Sequence, residues 1–386
     1  MSLKCDLLLK GGHLIDPRHD VDNVADVAIS GGTVAAVGAD LDVDAGRVVD
    51  CTGLYVFPGL IDLHVHVYGG YIGWLFPDQH SLPYGVTTAV DTGGAGWKNV
   101  DDMRRTIVEP SITRVLAFLN IVGAGMTGEP EQDVTEMDPK LCADAIRRNA
   151  DFVVGSKAAH FGGPGWESAG GAIEAARLSD TIAMIDFAPQ PTRTYQELLE
   201  RMSPGDIHTH LYAAHIPLLD EHRRVNDYVW AARERGVVFD TGHGAGSFWF
   251  RIAVPAMRQG FPPDTISTDL HKASRLGPNA LMPVTMGKFL AMGMPLREVV
   301  YRSTQRPAEI ISRPDLGHLG PGAGADVAVF ALRQGPCGFV DSGLARLAGQ
   351  KQLECQLTLR AGRVAWDPNG MTRSDWEGAG DYRRLG

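Results

Sequence analysis

Eight short apolar runs, spaced by amphipathic stretches, fill the middle of the chain and leave few folds open to it. The runs are 60–67, 86–91, 115–121, 152–156, 182–187, 207–212, 237–241 and 265–269. Helical patterns lie between most of them, at 100–108, 141–148, 172–178, 195–202, 227–235 and 252–258. Strand and helix alternating in this way build a parallel sheet covered by helices, because each parallel crossover needs a long connection. Eight such units predict a (β/α)8 TIM-like barrel, which takes about 250 residues. The ends read differently. Short β-branched runs at 6–10, 27–30, 33–38 and 47–50 are matched by others at 325–330, 356–360 and 363–366, with Gly-Gly and Asp-Pro punctuation in the first group. The expected fold class is therefore α/β: a barrel over 58–315, with a small β-sandwich domain formed by 1–57 and 316–386.

Composition narrows the function classes. Lys plus Arg number 36 against 46 Asp plus Glu, a net charge of −10, which argues against a dedicated nucleic-acid surface. Five scattered cysteines with no CxxC read as reduced thiols rather than a disulfide framework or zinc ribbon. Cys142 falls in a helical pattern, a poor place for a nucleophile. No secretory leader is visible and no apolar run approaches 18 residues, so a cytoplasmic protein with no membrane partner is expected. Thirteen histidines remain to be placed.

Two of them stand in Leu63-His64-Val65-His66, at the end of the first barrel strand. Alternate strand residues share a face, so the two imidazoles point the same way and can share one divalent metal. Barrel enzymes place their sites at that end of the strands. Further strand-end strings follow in order: Gly85-Val86-Thr87-Thr88-Ala89-Val90-Asp91, Gly155-Ser156-Lys157, Thr209-His210, Asp240-Thr241-Gly242-His243-Gly244 and Ser267-Thr268-Asp269-Leu270-His271. Arg306-Pro307-Ala308-Glu309 and the 319–330 run extend the match toward the end. Over nearly its whole length the chain resembles the amidohydrolase superfamily of metal-dependent hydrolases. Within it, the chain is most similar to the amidohydrolase/deacetylase group often labelled dihydroorotase-like.

The resemblance implies one or two divalent ions at the barrel mouth, zinc first, with manganese or iron as alternatives. It assigns His64 and His66 to the more buried metal, and Lys157 to the fourth-strand lysine that is carboxylated and bridges two metals. An ammonium has no lone pair to offer, whereas a carbamate presents oxygens. His210 matches the sixth-strand ligand of the second metal, with His208 a rival that shares its face by strand parity. Asp269 matches the eighth-strand aspartate that binds metal and takes the proton of the attacking water. The family's fifth-strand histidine is missing, and Asp186 stands near its place. Asp186 replaces the imidazole, or the site holds one metal, or the second metal is weakly held.

His160, His243 and His271 are candidate substrate contacts, and His160 is also close enough in sequence to reach the second metal. His208 and His215 each read more readily as packing or hydrogen-bonding residues. Gly93-Gly94-Ala95-Gly96 reads as a turn with spare backbone donors, a weak anion cradle, and Lys272 and Arg275 as a solvated charged face. The expected activity is hydrolysis of an amide or ester bond in a small acylated acid, a deacetylase reaction with the acylated small molecule as substrate. The alternatives are a cyclic amidase of the dihydroorotase or hydantoinase type, and a catalytically silent structural relative. A symmetric homo-oligomer is compatible with either enzyme.

Overall fold

A computed structural model describes residues 3–69 and 73–381. Seven strands form one curled parallel sheet in chain order: Leu60–Val65, Val86–Gly96, Arg114–Asn120, Val153–Ala158, Ile182–Ile185, Ile207–His208 and Val238–Phe239. Their side chains are almost all buried, as expected of a parallel sheet enclosed by helices. Helices Pro139–Arg148, Glu167–Ser179, Tyr195–Arg201, Asp227–Glu234 and Phe250–Arg258 fall where the helical patterns predict them. The 100–108 pattern divides into an α-turn at Val100–Met103 and a π-helical turn at Arg104–Val108. Four more helices follow residue 271: Lys272–Leu276, Met282–Ala291, Leu296–Tyr301 and Gln305–Ile310.

The eighth apolar run, 265–269, forms isolated parallel bridges instead of a regular strand. Thr265 pairs with Asp240 and Leu270 with Val65, so the segment bridges both edges of the seven-stranded sheet. The ladder is interrupted because Ile266 N–H donates to Arg302 O (3.0 Å) and Asp269 turns to φ +45°.

The second sheet joins the two ends of the chain. Its eight strands run in the order Arg363–Trp366, Arg346–Arg360, Val327–Val340, Tyr55–Pro58, Leu7–Asp16, Val21–Ser30 and Thr33–Gly38, with Val48–Asp50 alongside Leu7–Asp16. Strand alternation divides Leu7 and Leu9 from Leu8. The first two join a core with Val27, Val56, Val327 and Leu357, while Leu8 and Ala28 face a two-stranded sheet of Leu3–Cys5 and Val43–Ala45. The terminal hairpin is much longer than its apolar runs predict. Gly335 and Pro336 sit at an irregularity between Gln334 and Cys337, where a proline costs no ladder bond.

Asp326 ties the two sheets together. Its carboxylate takes Arg114 Nη1 (2.6 Å), Arg360 Nη1 (3.1 Å) and Ala361 N–H (2.8 Å). Asp326→Ala strands two partly buried guanidinium groups, and is expected to lower stability by about 3 kcal/mol, read as a shift in the urea midpoint. All five cysteines are free thiols, and burial pushes the Cys142 thiol up to about 12. Among the described residues no helix is long and apolar enough to cross a membrane.

Candidate metal centre

The ends of the parallel strands converge on a cavity of about 390 Å³ lined by His160, Asp186, His210, His215, Asp269 and His271 among others. His64 and His66 lie beneath it, buried, with Asp269 Oδ1 2.9 Å from His66 Nε2 and 3.6 Å from His64 Nε2. The three residues bring one ligand atom each within 4.8 Å of one another.

Hydrogen bonds behind His64 and His210 set their tautomers. Thr209 Oγ1 donates to Asp240 Oδ2 (2.8 Å), so it accepts from His64 Nδ1 (2.9 Å), which leaves the Nε2 lone pair facing Asp269. Asp240 also accepts from the hydroxyls of Thr265 (2.5 Å) and Ser267 (2.7 Å). His210 Nδ1–H donates to Gly242 O (2.7 Å), leaving its Nε2 toward Asp186 Oδ2 at 3.6 Å. Thr209 and Asp240 had no role assigned from sequence. Their signal is the hydroxyl and carboxylate positions beside each strand-end ligand string. Asp62, below His64, holds Thr268 through N–H (3.0 Å) and Oγ1 (2.5 Å), and burial pushes it up to about 7.

Charge is arranged to suit a cation. Burial and the nearby Lys157, His210 and His66 charges hold His64 well below the usual imidazole range, so it is a neutral donor. Burial alone would raise Asp269 and Asp186. The His66 hydrogen bond and charge keep Asp269 below the ordinary carboxylate range, and the charge and hydrogen bond of His210, with the charges of His160 and Lys157, do so for Asp186. Lys157 is fully buried, and among the described residues its Nζ has no hydrogen-bond partner. Burial lowers its pKa despite the carboxylates of Asp186, Asp269, Asp240 and Asp91. Gly93 leaves the room: a Cβ there would lie 2.8 Å from Lys157 Cγ. A partnerless buried amine beside two imidazoles and a carboxylate is a donor set that fits a divalent metal with nitrogen and oxygen ligands.

Several expectations are corrected. Gly93–Gly96 is no turn but the end of the buried Val86–Gly96 strand, and its Gly94 and Gly96 amides are taken by Asp91 and Asn99 (2.7 Å each). His208 and His210 do not share a face. The regular strand stops at His208, and His210 turns to φ +63°, so His208 packs on Tyr195 and Phe239 with its pKa depressed by burial to about 3. His215 hydrogen-bonds the Phe187 backbone, as one of its two expected roles, and also lines the cavity. His243 does not line it: Lys288 Nζ meets its Nε2 at 2.6 Å from the outer side. His271 stands 3.9 Å from Asp269, and His160 Nε2 stands 3.7 Å from Asp186 while Nδ1 bonds Glu131 (3.0 Å), which raises it to about 9. Arg275 reaches Tyr84 and Asn279 rather than the cavity. A larger, more apolar cavity by Tyr84, Leu281, Leu353 and Trp366 contains none of these groups.

No family model matches the chain. A deacetylase of Agrobacterium fabrum (strain C58) is 34% identical over 324 residues, covering 80% of this chain and 78% of the relative. A crystal structure of an adenine deaminase superposes with a TM-score of 0.87 at 29% identity, covering 94% of this chain and all of that one. A crystal structure of a dihydroorotase gives 0.81 at 28% identity, covering 93% and 98%. With that degree of identity over most of its length, the chain belongs to the amidohydrolase superfamily, in its deacetylase group, and is a hydrolytic enzyme.

Proposed function

We propose that the protein is a metal-dependent hydrolase that removes the acyl group of a small acylated acid by cleaving an amide or ester bond. The observation that carries this reading is the buried His64, His66 and Asp269 group beside the partnerless Lys157 amine. The 265–270 segment, bridged to both sheet edges, supports a closed (β/α)8 barrel over 58–315, with 1–57 and 316–386 as the composite sandwich. Five free thiols support a reducing, cytoplasmic setting.

His64, His66 and Asp269 would hold one divalent ion, zinc first and manganese or iron as alternatives. Lys157 as its carbamate would bridge to a second, held by His210 with Asp186 in place of the family histidine. When bound, the cation supplies Lewis-acid polarisation of the scissile carbonyl and lowers the pKa of water. Asp269, kept ionised by His66, accepts the proton of the attacking water and returns it to the departing nitrogen or oxygen. His160, His215 and His271 line the cavity and orient the acyl compound there. His243 acts only from behind.

Metal analysis of the purified protein, with hydrolysis assays on N-acetyl and O-acetyl acids, cyclic amides and adenine, tests the reading. Bound divalent metal and turnover of acetyl acids are expected. Turnover of cyclic amides alone would favour the cyclic amidase, to which the dihydroorotase likeness points. A protein with neither activating metal nor hydrolysis would sink both. Thr209→Val removes the acceptor that orients His64, and is expected to weaken metal retention by about 10–100-fold, measured by competition with a chelator.

A further inference from the structure

Ala245, Gly246 and Ser247 form one wall of the cavity, and that wall is held from outside the parallel sheet. The turn of the Val327–Val340 and Arg346–Arg360 hairpin reaches across to it. Ser342 N–H donates to Phe248 O (2.9 Å), and Phe248 N–H donates back to Ser342 Oγ (3.1 Å). The buried Asp341 carboxylate accepts Phe250 N–H through Oδ2 (2.9 Å), while Oδ1 pins the turn at Gly343 (2.9 Å) and Ala345 (2.8 Å). Gly343 must stay bare, since a Cβ there would lie 2.4 Å from Trp249 Cζ3.

A second support comes from helix Met282–Ala291. Lys288 Nζ, fully buried, donates to His243 Nε2 (2.6 Å) and to Pro278 O (3.1 Å). His243 Nδ1–H in turn satisfies Gly244 O (2.9 Å), and its ring stacks on Phe248 with centroids 4.6 Å apart. The supported segment touches the reacting groups directly. Gly242 O fixes His210, and Gly244, at φ +55°, places its missing Cβ 2.3 Å from Asp269 Oδ2.

A buried lysine and a buried aspartate are costly groups to spend on a loop, and neither lines the cavity. We propose that Asp341, Ser342 and Lys288 are positioning residues: the terminal-strand hairpin, through the first two, and helix Met282–Ala291, through the third, together set the 242–249 segment against His210 and Asp269. The inference rests on the hydrolase reading above. Displacements of about 1 Å caused far from the chemistry can cost up to ~10²-fold, so relaxing one support is expected to cost about tenfold in kcat/KM.

The test combines acyl-substrate kinetics with amide hydrogen exchange of 244–250 in full-length Ser342→Ala, Asp341→Asn and Lys288→Met. Each is expected to raise KM, lower kcat and speed exchange in that segment, with Ser342→Thr restoring all three for the first. Val24→Thr, at an exposed position on the second sheet, serves as the unchanged control. A merely structural role would lower the melting temperature and leave KM and local exchange of the folded fraction at wild-type values, which would overturn the proposal. If the wild-type protein hydrolyses no acyl compound, the acyl-hydrolase reading fails by itself. Exchange at 244–250 then decides the positioning role alone.

Discussion

Asp269→Asn is expected to lower kcat on the best acyl substrate by about 10³–10⁴-fold. The amide keeps the shape of the carboxylate but loses its charge and its affinity for a proton. Against the effect of burial, the hydrogen bond and charge of His66 at 2.9 Å keep Asp269 below the ordinary carboxylate range, so on the proposed mechanism the substitution removes an ionised base. The positive φ at Asp269 is tolerated by asparagine, which keeps the backbone cost small. Steady-state kinetics with metal content measured on the same sample checks this. Retention of more than about a tenth of kcat would reject Asp269 as the proton acceptor.

On the proposed two-metal reading, Lys157→Ala is expected to cost about 10³-fold in kcat/KM, because several kcal/mol of charge stabilisation would depend on the bridge. The proposed bridge calls for a neutral amine. Burial lowers the Lys157 pKa, raising the share of neutral amine, and a neutral amine adds carbon dioxide to give a carbamate and one proton. Native enzyme stripped of metal and bicarbonate should therefore regain activity only when both are restored. Lys157→Ala should respond to neither. Full activity in the alanine variant would remove the bridging role and leave a one-metal site.

How much of this was legible before the fold was known depends on the range of the physics involved. His64 and His66 share a face because strand parity is local, and the short run 60–67 displays it. Parity failed for His208 and His210 because the strand ends between them and the backbone turns left-handed, which residue types alone do not announce. The hydrogen bonds of Thr209 with Asp240 and of Thr268 with Asp62 join residues far apart in the chain, so no spacing rule could pair them. His243 sits between glycines at a strand end, where a cavity contact is a reasonable expectation. What draws it outward is Lys288, from a helix that no apolar run had marked. The terminal hairpin extends beyond the 325–330 run because its ladder continues past Gly335 and Pro336, which sit at an irregularity.

The pairing of Tyr55–Pro58 with Val327–Val340 has a consequence for biosynthesis. During translation the early strands emerge long before their partner, and Tyr55–Pro58 waits with an unpaired, apolar edge while the whole parallel sheet is made. Closing so long a loop carries only a logarithmic entropy cost, so the finished molecule tolerates the arrangement well. The nascent chain bears the risk, because an open edge is a template for pairing with a neighbour. Slow or arrested synthesis before Val327 would thus leave the early strands exposed to aggregation on the ribosome, whatever the stability of the completed enzyme.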